Sequence, residues 1–155
     1  MTNDRIDTPV VTGSLINSEA FKKGGALLLG SFKPGEGAAA DEKTDRLSLM
    51  LIKGIQDALP QEKTHFTIAQ DDETNPDLLL EGFIENYGHE RIPHLVLRKN
   101  EVYLSVDGEI WMRETGEKIF SFETHAVINL KDQDPSDVAY QMGVAIARFI
   151  GSYAG

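Results

Sequence analysis

Two runs in the C-terminal half of the chain alternate between apolar side chains and side chains of other kinds. The apolar positions are Val102, Leu104, Val106, Ile110 and Met112 in the first run, and Phe120, Phe122, Ala126, Ile128 and Leu130 in the second. A period of two over this length predicts two antiparallel strands that each bury one face. The opposite faces carry Tyr103, Asp107, Glu109, Trp111, Glu123 and His125. The sequence therefore predicts a long hairpin with one apolar face and one face of aromatic rings and carboxylates.

The register of this hairpin follows from keeping apolar residues opposite one another, because a slip of one residue would expose the phenylalanines. The expected pairs are Met112 with Phe120, Ile110 with Phe122, Val106 with Ala126, Asp107 with His125, and Glu109 with Glu123. In this register the tip of the hairpin must hold one residue more than a two-residue turn at Thr115 and Gly116. We therefore expect a three-residue loop or a bulge near Gly116.

The rest of the chain predicts three more strands and two main helices. The expected strands cover residues 26–32, 65–70 and 77–87, with a loop over 33–40, and the expected helices run over 41–59 and from 135 towards 153. Asp41 and Asp134 are suited to cap the two helices. The order β-α-β-β-β-β-α predicts an α+β fold, because one crossover is followed by antiparallel strands. We expect a two-layer sandwich in which a mixed sheet of four to five strands carries both main helices on one face.

The other face of this sheet is the predicted recognition surface. Aromatic rings beside carboxylates, left uncovered by helices, are typical of a surface that binds a partner. The expected partner-binding residues are Glu81, Phe83, Glu85, Tyr87, Tyr103, Glu109, Trp111 and Glu123. A protein partner or a second copy of the chain is the expected ligand, and a cationic saccharide is an alternative. The surface would be structural only if the N-terminal segment or another subunit covered it.

Length, charge and cysteine content limit the other possibilities. The chain has 155 residues, a formal net charge of −10 and no cysteine. This length fits one domain, which we expect over residues 24–155, preceded by a flexible polar tether over residues 1–23. Within the tether, Asn17 to Lys23 are expected to form a short helical turn that ends at Gly24-Gly25. The acidic excess argues against binding to nucleic acid or directly to anionic lipid. The lack of cysteine excludes disulfides, thiolate metal sites and cysteine nucleophiles.

One glycine-rich segment defines an alternative function. The segment from Gly35 to Ala40 matches the relaxed dinucleotide-binding pattern G-x-G-x-x-A between a predicted strand and a predicted helix. However, Glu36, Asp41 and Glu42 would face a bound pyrophosphate, so a plain loop is the better interpretation. A small-molecule or cation-binding enzyme-like domain that uses this loop is the alternative to a binding protein.

Other motifs do not meet the requirements of the sites they resemble. His89 and His94 are five residues apart and Pro93 prevents a helix, so no zinc-protease motif is formed. The acceptors between Asp71 and Asp77 lack the glycine of a calcium loop. Two groupings lie on the open sheet face, where we expect no strong pKa shift from burial: Asp107 with His125 and Ser121, and Glu109 with Glu123. We therefore expect no catalytic residue, cofactor or metal.

Three segments resemble the small domain of bacterial cell-envelope proteins related to CsgG, the TolB N-terminal domain, LpoB and PelC. They are Gly24–Phe32, Pro76–Ile84, and the hairpin from Asp107 to Phe120 with Thr115-Gly116 at its tip. The resemblance implies an oligomeric periplasmic lipoprotein that assists secretion, polysaccharide export or envelope assembly without catalysis. It also implies outer-membrane attachment through a lipid anchor that the present sequence lacks, with residues 1–23 as the tether.

Overall fold

The structure, a computed structural model, describes residues 9–71, 75–89 and 96–154. Within these ranges the chain forms a six-stranded sheet and three α-helices. The strands are β1 (Val10–Leu15), β2 (Gly25–Gly37), β3 (Phe66–Ala69), β4 (Leu78–Gly88), β5 (Glu101–Met112) and β6 (Lys118–Asn129). The helices are α1 (Ser18–Lys23), α2 (Glu42–Ala58) and α3 (Pro135–Gly151), and a 3₁₀ turn (Leu59–Gln61) follows α2. No described helix has the length and apolar character needed to cross a bilayer.

The sheet is mixed and its strand order is β1-β6-β5-β4-β2-β3. β2 is parallel to both of its neighbours, whereas β4, β5, β6 and β1 form antiparallel pairs. The parallel pair of β2 and β3 follows from the β2-α2-β3 crossover, because parallel strands need a connection long enough to return along the sheet. The α+β class expected from the sequence is therefore confirmed, with one more strand than the upper limit of the prediction.

Helices α2 and α3 pack against each other and cover one face of the sheet, which we call the helix face. Asp41 and Asp134 cap them as expected, and Asp41 accepts hydrogen bonds from the amides of Lys43 and Thr44. The helices approach closely at Gly54, where a Cβ atom would lie 2.2 Å from the carbonyl oxygen of Tyr140. A side chain larger than hydrogen at that position would therefore push the helices apart.

A row of phenylalanines and glycines crosses the middle of the sheet on the helix face. Phe32 pairs with Gly82, Gly82 with Gly108, and Gly108 with Phe122 on successive strands. The rings of Phe32 and Phe122 are both buried, with centroids 6.3 Å apart. The two glycines leave room for them, since a Cβ atom on Gly108 would lie 2.4 Å from Cζ of Phe122. The phenylalanine rings of β2 and β6 thus fill the space above the glycines of β4 and β5.

The N-terminal segment differs from its prediction as a tether. Residues 10–15 form the edge strand β1, paired with β6 along its length, and residues 18–23 form α1. Phe21 of α1 is buried against the rings of Phe66 and Phe120. Val10–Leu15 is thus a paired strand and not a flexible segment, whereas the short helical turn expected over Asn17 to Lys23 is present as α1. Residues 1–8 lie outside the described residues.

The hairpin formed by β5 and β6 has a different register from the one expected. Ile110 pairs with Phe120 and Val106 with Thr124, a slip of two residues, and the extra residue is Ile119 rather than one near Gly116. A slip of two keeps every side chain on its expected face. The alternation was therefore interpreted correctly, whereas the predicted pairs were wrong.

Candidate functional site

The candidate site is the face of the sheet opposite the helices, which we call the outer face. Alternation along each strand brings its side chains there, because neighbouring residues of a strand point to opposite faces. Its described members are Val10, Thr12 and Ser14 of β1, Leu79, Glu81, Phe83 and Glu85 of β4, Tyr103, Ser105, Asp107, Glu109 and Trp111 of β5, and Ser121, Glu123 and His125 of β6. Seven of the eight residues expected from the sequence are in this set.

Two adjoining depressions occupy the outer face. The larger, about 640 Å³, lies over the backbone of Gly82, Gly108 and Phe122 and is bordered by Trp111. The smaller, about 420 Å³, lies between Tyr103 and the start of β1. Three carboxylates border both: Glu85, Asp107 and Glu123. The site is therefore an open acidic trough rather than an enclosed cavity.

Asp107 has a raised pKa for a carboxyl group on a sheet surface. Partial burial is the main cause that raises its pKa from 3.8 to about 6. The hydrogen bond that the protonated Asp107 carboxyl donates to the Glu85 carboxylate and the charges of Glu85 and Glu109 also contribute to the rise, while the Phe83 amide, which donates to Asp107, opposes it. Two carboxyl groups can share a hydrogen bond only while one holds a proton. The expectation of no strong pKa shift from burial is therefore wrong for Asp107.

Trp111 forms the aromatic end of the trough. Its cross-strand neighbour Lys118 places Nζ 5.2 Å from the ring centroid and 2.7 Å from Oε2 of Glu109. The lysine therefore both stacks on the ring and neutralises one carboxylate. The indole Nε1 is buried and makes no hydrogen bond within the described part of the chain. An unpaired buried donor costs free energy in the isolated protein.

The other end of the trough is formed by Tyr103. The centroid of its ring lies 5.8 Å from that of the His125 ring. The pKa of its hydroxyl is raised mainly by burial and also by the charge of Glu123. Glu123 is exposed, and its Oε1 lies 3.5 Å from the Thr12 hydroxyl, which donates to it. Phe83 lies between the two ends and is 48% exposed. The trough thus has aromatic rings at its ends and centre, with acids between them.

Tyr87 does not belong to the site, contrary to the sequence prediction. A bulge at Glu85 shifts the pairing so that Ile84 lies opposite Val106 but Asn86 lies opposite Ser105. Tyr87 therefore pairs with Leu104 and packs on the helix face. The pKa of its hydroxyl is raised mainly by burial and to a lesser extent by the charges of the helix caps Asp41 and Asp134. Asn86 lies on the outer face after the bulge, where its Nδ2 donates a hydrogen bond to Oγ of Ser105 at 2.8 Å.

The catalytic groupings considered from the sequence are not assembled. Asp107 lies opposite Glu123, His125 lies opposite Ser105, and Ser121 lies opposite Glu109. The expected pairs of Asp107 with His125 and of Glu109 with Glu123 were wrong because they used the other register. Among the described residues, no group of three or more histidines, aspartates and glutamates could hold a metal ion. His94 and Glu73 of the other motifs lie outside the described residues.

The glycine-rich segment of the alternative function is partly strand rather than loop. β2 continues to Gly37, which pairs with Asn86, so the prediction of a loop from residue 33 was wrong. A Cβ atom on Gly35 would lie 2.2 Å from Oε1 of Glu85, so a carboxylate borders this segment. The first amides of α2 are occupied by the side chain of Asp41. Amides that would bind a phosphate are therefore already used.

The sequence interpretation missed the contribution of β1 to the outer face. Val10, Thr12 and Ser14 extend the trough beyond β6. The signal was the β-branched pattern Val10-Val11-Thr12, which is typical of strands. Six residues that include a glycine and lack a clear apolar alternation are a weak signal for a strand, so the sequence alone does not predict β1.

Comparison with solved structures gives, among others, two chains with a similar fold. Two crystal forms of PelC from Paraburkholderia phytofirmans, one of them a substituted variant and both described as dodecamers, align with TM-scores of 0.59 and 0.58. Both are 13% identical to this chain, over 89% of it and 96% of PelC. The fold is similar to that of PelC.

This likeness supports the PelC part of the resemblance seen in the sequence, and at 13% identity it concerns the fold alone. A putative lipoprotein from Caulobacter crescentus CB15 is 17% identical over 83% of this chain and 87% of that one, but its TM-score of 0.43 is too low to indicate a shared fold. No protein-family model matches the sequence, and no curated protein matches it.

Proposed function

We propose that this chain is a non-enzymatic accessory domain of the bacterial cell envelope that binds a protein partner, or further copies of itself, through the outer face. It would act in the periplasm in secretion, polysaccharide export or envelope assembly. A lipid anchor would attach the domain to the outer membrane. The single observation that carries the proposal is the open acidic trough with aromatic rings along it.

The trough has the composition of a protein-binding surface. Phe83, Tyr103 and Trp111 offer rigid rings, the residue type that supplies most binding energy at interfaces. The unpaired Nε1 of Trp111 would gain a partner if an acceptor bound beside it and Lys118 moved aside. No described helix covers these side chains, so a partner reaches them without unfolding any element.

The comparisons add support for self-association. Both PelC structures are described as dodecamers, and the alignment covers nearly the whole of that chain. A domain with this fold can therefore associate with copies of itself, which is what we propose for the present chain.

A cationic saccharide is a second candidate ligand for the same surface. Five carboxylates lie on the outer face, and within the described part of the chain Lys118 neutralises one of them, Glu109. The five are Glu81, Glu85, Asp107, Glu109 and Glu123. Carboxylates placed between aromatic rings suit amino sugars, because rings stack on apolar sugar faces while the acids hold ammonium groups.

Site-specific photo-cross-linking in cells tests the protein-binding function. A photoreactive residue at position 83 should capture a discrete partner or a second copy, and the captured species should fractionate with the envelope. The matched control is position 49, a leucine that is 69% exposed on α2. Equal capture at both positions, or fractionation with the cytoplasm, would contradict the proposal.

Ligand titrations separate the two candidates from the enzyme-like alternative. Glucosamine oligomers should raise the melting temperature, and their N-acetylated counterparts should not, if the acids bind cationic sugar. Glu85→Gln together with Glu123→Gln should abolish such a shift. Stabilisation by nucleotides, Ca²⁺ or Zn²⁺ would instead favour an enzyme-like domain that uses the Gly35–Ala40 segment.

A further inference from the structure

The edge strand β1 leaves one side of its backbone without a partner among the described strands. Ile16 donates its amide to the carbonyl of Ile119 at 2.8 Å, which continues the pairing of β1 with β6. Because alternate residues of a strand direct their backbone groups to the same side, Val11, Gly13 and Leu15 direct theirs away from β6. These groups form an exposed edge that can accept another strand.

This edge lacks the features that usually prevent such pairing. Proteins protect edge strands with charged side chains, proline, bulges or very short length. From Val10 to Ile16 there is no charged residue and no proline, and the pairing with β6 has no bulge. The opposite edge of the sheet, β3, has only four residues. Of the two edges of the described sheet, the one formed by β1 is therefore unprotected, whereas the one formed by β3 is protected by its short length.

The edge is complementary to itself. Around Gly13 the chain reads the same in both directions by residue class: Thr12 mirrors Ser14, Val11 mirrors Leu15, and Val10 mirrors Ile16. In an antiparallel pair of two β1 strands centred on Gly13, each residue therefore meets one of its own kind. Val10 and Ile16 are 61% and 51% exposed in the single chain and would lie opposite each other at both ends.

The helix face beside this edge has room for the partner's side chains. A depression of about 510 Å³ lies between the start of β1 and α3, with Val11, Val144 and Phe149 in its wall. In the antiparallel arrangement Leu15 of the partner copy lies opposite Val11, on the helix face and therefore over this depression. The lack of charge along the edge also keeps like charges from meeting directly, although the chain has a net charge of −10.

We propose that β1 pairs with β1 of a second copy around a two-fold axis at Gly13, joining the two sheets into one. Val11 and Leu15 of opposite copies exchange backbone hydrogen bonds, as do the two Gly13 residues, while Thr12 faces Ser14 without backbone bonds between them. This goes beyond the proposed function, because it concerns the edge of the sheet and holds whether or not the outer face has a partner.

Cysteine cross-linking tests the register directly, because the natural chain has no cysteine. Residues opposite each other without backbone bonds have Cα atoms about 4.5 Å apart, within the range that a disulfide bridges. Thr12→Cys mixed with Ser14→Cys should therefore form a covalent dimer under mild oxidation, much faster than either variant alone. Equal cross-linking in all three samples, or none at any concentration, would overturn the proposal.

Charge pairs at the ends of the strand test the same arrangement without covalent chemistry. The double variant Val10→Lys with Ile16→Lys places like charges opposite each other twice and should raise the dimer dissociation constant roughly tenfold or more. Val10→Lys with Ile16→Glu places opposite charges there and should keep the dimer. Sedimentation equilibrium measures both, and a folding defect caused by the lysine at position 10 would appear in both variants.

The test of pairing through β1 can be separated from the test of binding at the outer face. Phe83→Ser should leave the cross-link between positions 12 and 14 intact, because Phe83 lies on β4 and not on the edge strand. A β1-paired dimer whose dissociation constant is unchanged in the double-lysine variant would overturn this pairing.

Discussion

Asp107→Asn removes a carboxyl group whose pKa in the folded protein is raised from 3.8 to about 6. The folded chain therefore holds a proton at pH values where the unfolded chain has lost it. The free energy of unfolding then falls as pH increases, because its slope follows the difference in protons bound by the unfolded and folded states. The contribution of Asp107 is fully present below about pH 4 and is lost as pH rises through about 6.

The magnitude follows from the size of the pKa shift and from exposure. A rise from 3.8 to about 6 corresponds to about 3 kcal/mol, at 1.36 kcal/mol per unit. Since the carboxyl is only partly buried and solvent screens its neighbours, we expect about 1 kcal/mol. For a chain of this length, that difference changes the melting temperature by about 2–4 °C.

The assay compares melting temperatures of the variant and the natural chain from pH 4 to pH 7. Asp107→Asn should melt at the same temperature near pH 4 and about 2–4 °C higher at pH 7. High salt should reduce this gain, because it screens the charges of Glu85 and Glu109. Asp132→Asn, the same change in an exposed turn, should show no such trend. A gain that does not depend on pH, or a loss at pH 7, would refute the reasoning.

Three further predictions concern the fold that supports the trough. Gly108→Ala should lower the free energy of unfolding in urea by about 2 kcal/mol through overpacking, and adding Phe122→Leu should recover part of it because the clashing Cζ atom is removed. Asp41→Ala should cost about 1 kcal/mol and Asp41→Asn much less, since asparagine also caps α2. Lys118→Met should change stability by less than about 1 kcal/mol yet shift the fluorescence of Trp111, the only tryptophan.

Local sequence signals were sufficient for the helices and for most of the strand positions. The caps at Asp41 and Asp134 act within one turn of their helices, so they were recognised without knowledge of the rest of the fold. The alternation of β4, β5 and β6 also assigned seven of the eight candidate residues to the outer face. These features could be predicted because they depend on residues that are close in sequence.

The features that were missed depend on contacts between distant parts of the chain. The bulge at Glu85 turns Tyr87 to the helix face, and no property of its neighbours in sequence indicates it. The order of Val10–Lys23 depends on β6 and on the rings of Phe66 and Phe120. The raised pKa of Asp107 depends on Glu85, which belongs to another strand.

By itself the sequence determined which side chains share a face, because the two-residue period of a strand is a local property that a slip of two leaves unchanged. Only the tertiary structure decided which residues lie opposite one another, since register and bulges result from packing across strands. The acidic trough therefore has a composition that the chain already specified, and a geometry that required all four antiparallel strands.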